Sequence, residues 1–207
     1  MRMHRYAFYA IAGGLSLLLV LLIIVNFGGS KEGQRDRGWK YVKNYAQQIT
    51  DRNYDIICYG DDLGLPQEFR VRQVLDLNEY SIESDSAPKN HVGHIIILYD
   101  PNDMHFMTDE QVQFLKAGYE SGNFRIIAVG TGKIRMLENA GLCSSGTSDT
   151  TNSIMVWKNH SGSANSYPGI ADDRSLIPHS IEAEIDPKSI PAYSLMMELG
   201  TKELLWS

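Results

Sequence analysis

The sequence predicts an α/β protein in which one N-terminal transmembrane helix is followed by a three-layer α/β/α domain with a mainly parallel sheet. Two observations carry this prediction. An apolar run without charged residues begins at Tyr6 and ends at Phe27, and residues 94–142 alternate between short apolar runs and amphipathic segments. Short apolar runs are typical of strands that are buried on both faces, and parallel strands need crossover connections that are usually helices.

Residues 6–27 are long enough to cross a bilayer, because a helix rises about 1.5 Å per residue and the hydrocarbon core is roughly 30 Å thick. The residues that follow form a poor small-x-small cleavage site, which favours a retained anchor over a cleaved signal peptide. We therefore expect a tail, transmembrane helix and hinge in residues 1–29. Residues 30–207 are enough for one domain with its own core.

Charge argues against a nucleic-acid partner. All 25 acidic residues follow Phe27, and the chain has a net charge of −6, so the domain lacks the basic face that phosphate backbones require. The basic residues near the anchor are Arg2 and Arg5 before it and Lys31, Arg35, Arg37 and Lys40 after it. Because short basic tails tend to stay in the cytoplasm, we expect a single-pass cell-membrane protein with an extracytoplasmic domain. The second basic group would then face anionic headgroups.

The first half of the domain is predicted as helix, strand, helix and strand. Apolar side chains recur every three or four residues in 36–52, which indicates an amphipathic helix, and residues 54–59 form an apolar strand. Pro66 is placed to begin a helix that runs to about residue 76, and residues 80–84 are expected to form a short strand.

The central unit is the clearest part of the pattern. Residues 94–100 and 124–129 are apolar strands, and a helix capped by Thr108 lies between them. Gly130, Thr131 and Gly132 then turn the chain into a second helix that ends near residue 142. Beyond it, residues 152–157, 181–185 and 193–199 are predicted strands, and residues 159–169 a polar loop.

Polar residues close three of these strands, at the sheet edge where α/β proteins bind ligands. Asp61 follows the first strand, Asp100 the strand at 94–100, and Thr131 the strand at 124–129. The backbone N–H groups of Gly130, Thr131 and Gly132 open a helix, which suits a carboxylate or phosphate. We therefore predict ligand binding by these glycines, Thr131, Asp61 and Asp100. The alternative is a tight turn without a ligand, with the aspartates capping loops.

The residues at and around this sheet edge resemble two known families. The acidic pair Asp61 and Asp62, with Asp100 and Thr131, resembles a phosphoacceptor receiver domain, but the chain lacks room for that family's helix before residue 94. The stretch 54–142, with its capped helix, its Ser121-Gly122-Asn123 turn and its Ala140-Gly141-Leu142 ending, is similar to the class I glutamine amidotransferase-like superfamily. That resemblance implies a flavodoxin-like α/β domain with a nucleophile elbow at residues 129–132.

The elbow departs from the catalytic pattern of that superfamily. The resemblance implies a cysteine nucleophile with a nearby histidine, whereas Thr131 occupies the position here. Cys143 lies past the helix, and either His160 or His179 is the candidate base. We therefore favour a non-catalytic domain that binds a ligand or a membrane-protein partner in a transport or cell-envelope complex. A membrane-anchored hydrolase or amidotransferase that uses Thr131 is the alternative.

No metal or cofactor is predicted. His91 and His94 would point to opposite faces of an extended chain, and no further cysteine or histidine has ligand spacing. Gly130 and Gly132 lack the third glycine of a dinucleotide-binding fingerprint. The two cysteines, Cys58 and Cys143, are expected to be unpaired.

Overall fold

The computed structural model of the protein describes residues 31–83, 90–159 and 161–202. It confirms the α/β class. Within these residues, no helix has the length and apolar character needed to span a bilayer. The predicted anchor at residues 6–27 lies outside the described residues.

Six strands form one mixed sheet. They are β1 (Asp55–Gly60), β2 (Val71–Val74), β3 (His94–Tyr99), β4 (Phe124–Val129), β5 (Ser153–Lys158) and β6 (Ala164–Pro168). Their order in the sheet is β2-β1-β3-β4-β5-β6. Strands β1 to β4 are parallel, and β5 and β6 are each antiparallel to the preceding strand. The chain leaves β1 toward β2 and then returns to β3 on the other side of β1, so the loops after β1 and β3 diverge at a topological switch point.

Helices cover both faces of the sheet. The α-helices in the described part of the chain are α1 (Lys31–Thr50), α2 (Glu79–Ile82), α3 (Asp109–Glu120), α4 (Thr131–Asn139), α5 (His179–Glu182) and α6 (Ile190–Thr201). Side chains of β3 alternate between two buried cores: Ile95 and Ile97 pack with α1 and α6, and Ile96 and Leu98 pack with α3 and α4. This alternation follows from the two-residue period of a strand and produces the predicted three layers.

The central unit of the prediction is confirmed. Strands β3 and β4 are almost wholly buried, as their uninterrupted apolar sequences require. Helix α3 begins with a reciprocal cap, in which the Gln111 N–H donates to Thr108 Oγ1 at 3.3 Å and the Thr108 N–H donates to Gln111 Oε1 at 2.9 Å. The predicted helix at 36–52 and strands at 54–59 and 152–157 are also present, as α1, β1 and β5.

The prediction for residues 66–84 is wrong. A single 3₁₀ turn, Gln67–Phe69, replaces the expected helix, and the left-handed Arg70, with φ of 51°, ends it before β2 begins. Valines at both ends of β2 suit an edge strand beside β1. In place of the expected strand at 80–84, residues 79–82 form the short helix α2, because Asn78 accepts from the Ser81 N–H and so caps a helical turn. Residue 84 lies outside the described residues.

Three predictions near the C-terminus are also wrong. Residues 181–185 begin in helix α5 and continue into the turn that follows it, and Ile181 and Ile185 are both buried. The expected strand at 193–199 lies within α6, a helix buried on all sides whose continuous apolar sequence hides the helical period. The polar loop expected at 159–169 contains β6, an edge strand with mostly exposed side chains.

Candidate functional site at the carboxyl edge of the sheet

The turn from β4 into α4 fixes the first part of the site. Gly130 has φ of +109°, and a Cβ there would lie 2.1 Å from the carbonyl oxygen of Asp100. This position therefore requires glycine immediately before α4 begins at Thr131. The Gly132 N–H donates to Oδ1 of Asp103 at 2.7 Å. A carboxylate of the chain itself thus lies at the helix N-terminus, where the sequence predicts an anionic ligand.

A cleft of about 400 Å³ opens beside Thr131, at the ends of β4 and β5. We call it the elbow cleft. Its polar lining residues are Asp103, Thr131, Asn152, Asp172 and Arg174. Thr131 is half-buried, whereas Asp172 and Arg174 are exposed. The cleft therefore presents a guanidinium, two carboxylates, an amide and a hydroxyl to one small volume.

Hydrogen bonds from the start of β5 hold Asp172 in this cleft. Its Oδ1 accepts from Ser153 Oγ at 2.8 Å and its Oδ2 from Thr151 Oγ1 at 3.2 Å. Ser153 is fully buried, and its Oγ also accepts from the Ala171 N–H at 2.8 Å. Because these donors belong to the sheet and its margin, the carboxylate is oriented before any ligand arrives.

Asp100 is buried, and both of its carboxylate oxygens accept hydrogen bonds. Its Oδ1 accepts from the Met104 N–H and its Oδ2 from the His105 N–H, each at 2.8 Å. The buried Lys133 ammonium lies 2.9 Å from Oδ2 and also donates to the His105 carbonyl. Burial opposes the charge on Asp100, but the Lys133 and backbone hydrogen bonds outweigh it and hold the pKa of Asp100 below its ordinary value.

Asp61 and Asp100 meet at the switch point, together with a histidine. His105 Nε2 lies 2.7 Å from Asp61 Oδ1, and potential ligand atoms of Asp61, Asp100 and His105 all lie within 4.8 Å of one another. These donor types suit a divalent cation. The Lys133 ammonium, however, already bonds to Asp100, so the local cation is supplied by the chain itself.

The same contacts do not favour the receiver-like interpretation. Both oxygens of Asp100 already accept backbone hydrogen bonds, so this carboxylate is not presented freely as a phosphoacceptor. Asp62 accepts from the Gly64 N–H at 3.0 Å and so closes its own loop. Lys158, at the end of β5, pairs with Glu120.

Two of the remaining catalytic candidates, His179 and Cys143, lie away from the elbow cleft. His179 is in α5, with its side chain 96% exposed and its Nδ1 3.2 Å from Glu182 Oε2. Cys143 follows α4, where burial raises the pKa of its thiol, and it is unpaired, as is Cys58. Neither His179 nor Cys143 lines the elbow cleft. His160 lies outside the described residues.

Several residues at this edge of the sheet were not predicted from the sequence. The spacing of β3, β4 and the elbow locates Asp100 and Thr131, but His105 and Asp103 belong to an aperiodic loop. Lys133 stands next to the elbow, and a lysine directly after a strand-to-helix turn was a usable signal. Arg174 and Asp172 reach the elbow cleft only through the fold of the chain beyond β6.

Comparison of this chain with models of protein families, with characterised proteins and with solved structures gives no significant match.

Proposed function

We propose that this chain is a single-pass, membrane-anchored α/β domain of glutamine amidotransferase-like type that binds a ligand or partner within a membrane complex without catalysing a reaction. The elbow cleft is the observation that carries the proposal. It combines the Thr131 hydroxyl with Asn152, Asp172 and Arg174 at one end of a rigid sheet. Fixed charges and hydrogen-bonding groups of this kind recognise small polar molecules.

The contacts of the cleft support binding over nucleophilic catalysis. A catalytic Thr131 needs a base within about 2.6–3.2 Å. Among the described residues that line the cleft there is no histidine or cysteine. Its carboxylates are Asp103, which accepts from the Gly132 N–H, and Asp172, which accepts from two hydroxyls. These carboxylates are held by the surrounding backbone and hydroxyl groups, which suits recognition.

The positive and negative side chains of the elbow cleft together indicate the class of ligand. The guanidinium of Arg174 matches a carboxylate or phosphate group. The oriented carboxylate of Asp172 can accept a further hydrogen bond from an ammonium or hydroxyl group. A small molecule with an acidic group and a donor, such as an amino acid or a hydroxy acid, fits both.

Thermal unfolding of the detergent-solubilised full chain tests the proposal with amino acids, hydroxy acids and inorganic phosphate as probes. A ligand at about 100 times its Kd stabilises the folded protein by about 2.7 kcal/mol, which raises the Tm by about 5–10 °C for a chain of this size. We expect Arg174→Ala to remove the shift. Arg135→Ala, at an exposed arginine of α4 outside the cleft, is the matched control and should retain it.

Two outcomes would contradict this function. An undiminished shift in Arg174→Ala would place the ligand outside the elbow cleft. Hydrolysis of an amide or ester that is lost in Thr131→Ala but retained in Thr131→Ser, with both variants folded, would favour the hydrolase alternative.

A further inference from the structure

A groove of about 430 Å³ runs between α1 and residues 175–180, which lead into α5. We call it the α1 groove. Arg37, Gly38 and Tyr41 line it from α1, and Leu176 and Pro178 line it from the opposite side. Its walls are mainly apolar, and the long side chain of Arg37 brings a charge to them. The groove is therefore amphipathic.

Close packing of α1 against α5 gives the groove a fixed floor. A Cβ at Gly38 would lie 2.5 Å from Ser180 Oγ and 2.7 Å from Ile181 Cγ2, so the two segments approach as closely as glycine permits. At the next residue of α1, the Trp39 indole N–H donates to Glu184 Oε2 at 3.2 Å. The groove is thus a feature of packed elements rather than of a surface loop.

The charges that face the groove from α1 are basic. Lys31 lies two helical turns before Gly38 on the same face, and Arg37 lines the groove directly. Within the described part of the chain, no carboxylate forms an ion pair with either residue. Acidic groups nearby are occupied: Glu184 pairs with Arg35, and Glu182 pairs with His179.

The other acidic residues near the α1 groove do not neutralise its basic side chains. Asp173 accepts from the Ser175 N–H at 2.8 Å and caps the 3₁₀ turn Arg174–Leu176. Asp36, two residues from Gly38, points to the opposite face of α1, since successive helical residues are about 100° apart. The groove therefore has one cation in its lining, Arg37, and a second cation, Lys31, lies farther along α1 toward the predicted anchor.

Chain connectivity places the groove near the predicted membrane surface. Three residues lie between Phe27 and Lys31, and the four residue steps from Phe27 to Lys31 span at most about 14 Å even when fully extended. From Lys31, α1 reaches Arg37 in about 9 Å. The headgroup layer on each side of a bilayer is about 5–8 Å thick. Arg37 and Lys31 are thus within reach of the headgroups that surround the anchor.

From these observations we infer that the α1 groove binds an anionic phospholipid. Its phosphate would pair with Arg37 and Lys31, and its glycerol and proximal acyl carbons would lie in the slot between Tyr41, Leu176 and Pro178. This inference rests on the membrane anchoring in the proposed function. It adds a specific lipid as ligand, at a site separate from the elbow cleft.

The test uses the full chain reconstituted into phosphatidylcholine vesicles that contain a small fraction of photoreactive phosphatidylglycerol. Cross-linked peptides are identified by mass spectrometry. We expect labelling of residues 31–41 and 175–180, and at least a fivefold reduction in Arg37→Glu. Arg37→Lys should retain much of the labelling, and Arg135→Glu, the matched exposed arginine, should equal the wild type. Equal thermal unfolding of the variants shows that the fold is intact.

Competition identifies what is recognised. Unlabelled phosphatidylglycerol should reduce the labelling, whereas the same amount of phosphatidylcholine should not. Equal competition by the two lipids, displacement by inorganic phosphate, or unchanged labelling in Arg37→Glu would overturn the inference.

Flotation of the vesicles after an alkaline wash distinguishes failure of the proposed lipid site from failure of the proposed membrane anchor. A chain that floats with the vesicles but shows none of the expected labelling contradicts the lipid site and leaves the anchor intact. A wild-type chain that fails to float contradicts the proposed membrane anchoring, and the lipid site with it.

Discussion

Lys133 determines what Asp100 can do. The pair is buried, and the carboxylate also accepts two backbone hydrogen bonds. Removing one partner of a buried ion pair leaves the other charge uncompensated, which typically costs about 3–5 kcal/mol. We expect Lys133→Met to lower the free energy of unfolding by about that amount, as measured by urea unfolding at pH 7.

The exposed pair Lys43–Glu68, at 3.2 Å, provides the control for this substitution. Lys43→Met should cost less than about 1 kcal/mol, because solvent screens such pairs. Adding Asp100→Asn to Lys133→Met should recover part of the lost stability. Equal costs for the two lysines would contradict the role assigned to the buried pair.

The lowered pKa of Asp100 also predicts how stability depends on pH. The unfolded carboxyl titrates at its ordinary pKa of 3.8, and the folded one titrates below it. The stabilisation is therefore present above pH 3.8 and is lost as pH falls through the lowered pKa. In Asp100→Asn this part of the acid dependence should disappear, which urea unfolding between pH 2 and pH 6 measures. An unchanged acid profile would contradict it.

A second prediction concerns the backbone at the elbow. Gly130→Ala would place a Cβ 2.1 Å from the Asp100 carbonyl oxygen, at φ of +109°, and we expect a loss of about 3 kcal/mol or more from strain and displacement. Gly122 also has positive φ, +76°, but nothing lies within 4 Å of its Cβ position. Gly122→Ala should therefore cost only about 1 kcal/mol. If urea unfolding showed similar losses of the free energy of unfolding for the two variants, the close approach of a Cβ at residue 130 to the Asp100 carbonyl would have no energetic cost.

Residues at the sheet edge were predictable only where a strand ends. Asp61, Asp100 and Thr131 follow apolar runs, and the parallel order brings those ends together. His105 and Arg174 lie in segments without periodicity, and their positions depend on tertiary packing that sequence spacing does not encode. The position of the cleft could thus be predicted from the sequence, whereas the charged residues that tertiary packing brings to it could not.

Among the elements, helix α6 carries a charge that its packing disfavours. Glu198 is 5% exposed, its Oε2 has no hydrogen-bond partner among the described residues, and it lies in the last turn, where the helix dipole disfavours a negative charge. Burial raises the pKa of Glu198, although Lys202, 3.7 Å away, opposes the shift. We expect Glu198→Gln to raise the free energy of unfolding by about 1 kcal/mol at pH 7.

The sign of this effect can be checked by varying pH. Below the unfolded pKa, 4.5, Glu198 is protonated in both states and resembles glutamine. The advantage of Glu198→Gln should therefore be absent in acid and grow as pH rises through 4.5 to the raised pKa. Glu83→Gln, at an exposed glutamate without an ion pair among the described residues, is the control for the removal of charge. A constant difference between pH 3 and pH 7 would contradict the explanation.

The same helix shows why some elements were misassigned. A helix buried on every side presents a continuous apolar run, so its period cannot be seen, and residues 193–199 resemble a strand. Pro191, in the first turn, was the available signal for a helix start. Strand β6 has the opposite property: its exposed, polar side chains match a loop, and only hydrogen bonds to β5 make it a strand.

At the scale of the whole molecule, the proposed lipid binding and ligand binding use two different surfaces. The elbow cleft lies at the carboxyl edge of β4, whereas the α1 groove involves the first described helix, which follows the predicted anchor. Because β1 to β4 form a continuous buried sheet between the helical layers, both surfaces are supported by the same rigid core. We therefore expect that mutations can alter the proposed membrane attachment and the proposed ligand recognition separately.

Membrane attachment itself gives the last prediction. Replacing Leu18 and Leu19, near the middle of the apolar run, with arginine should cost about 2.5–3.5 kcal/mol per residue for insertion as a transmembrane helix. We expect the wild-type chain to stay in the membrane pellet after alkaline carbonate extraction and the double variant to be released. Leu75→Arg, at a leucine of the domain that is 94% exposed, should behave as the wild type. Release of the wild type, or retention of the double variant to the same extent, would contradict anchoring through residues 6–27.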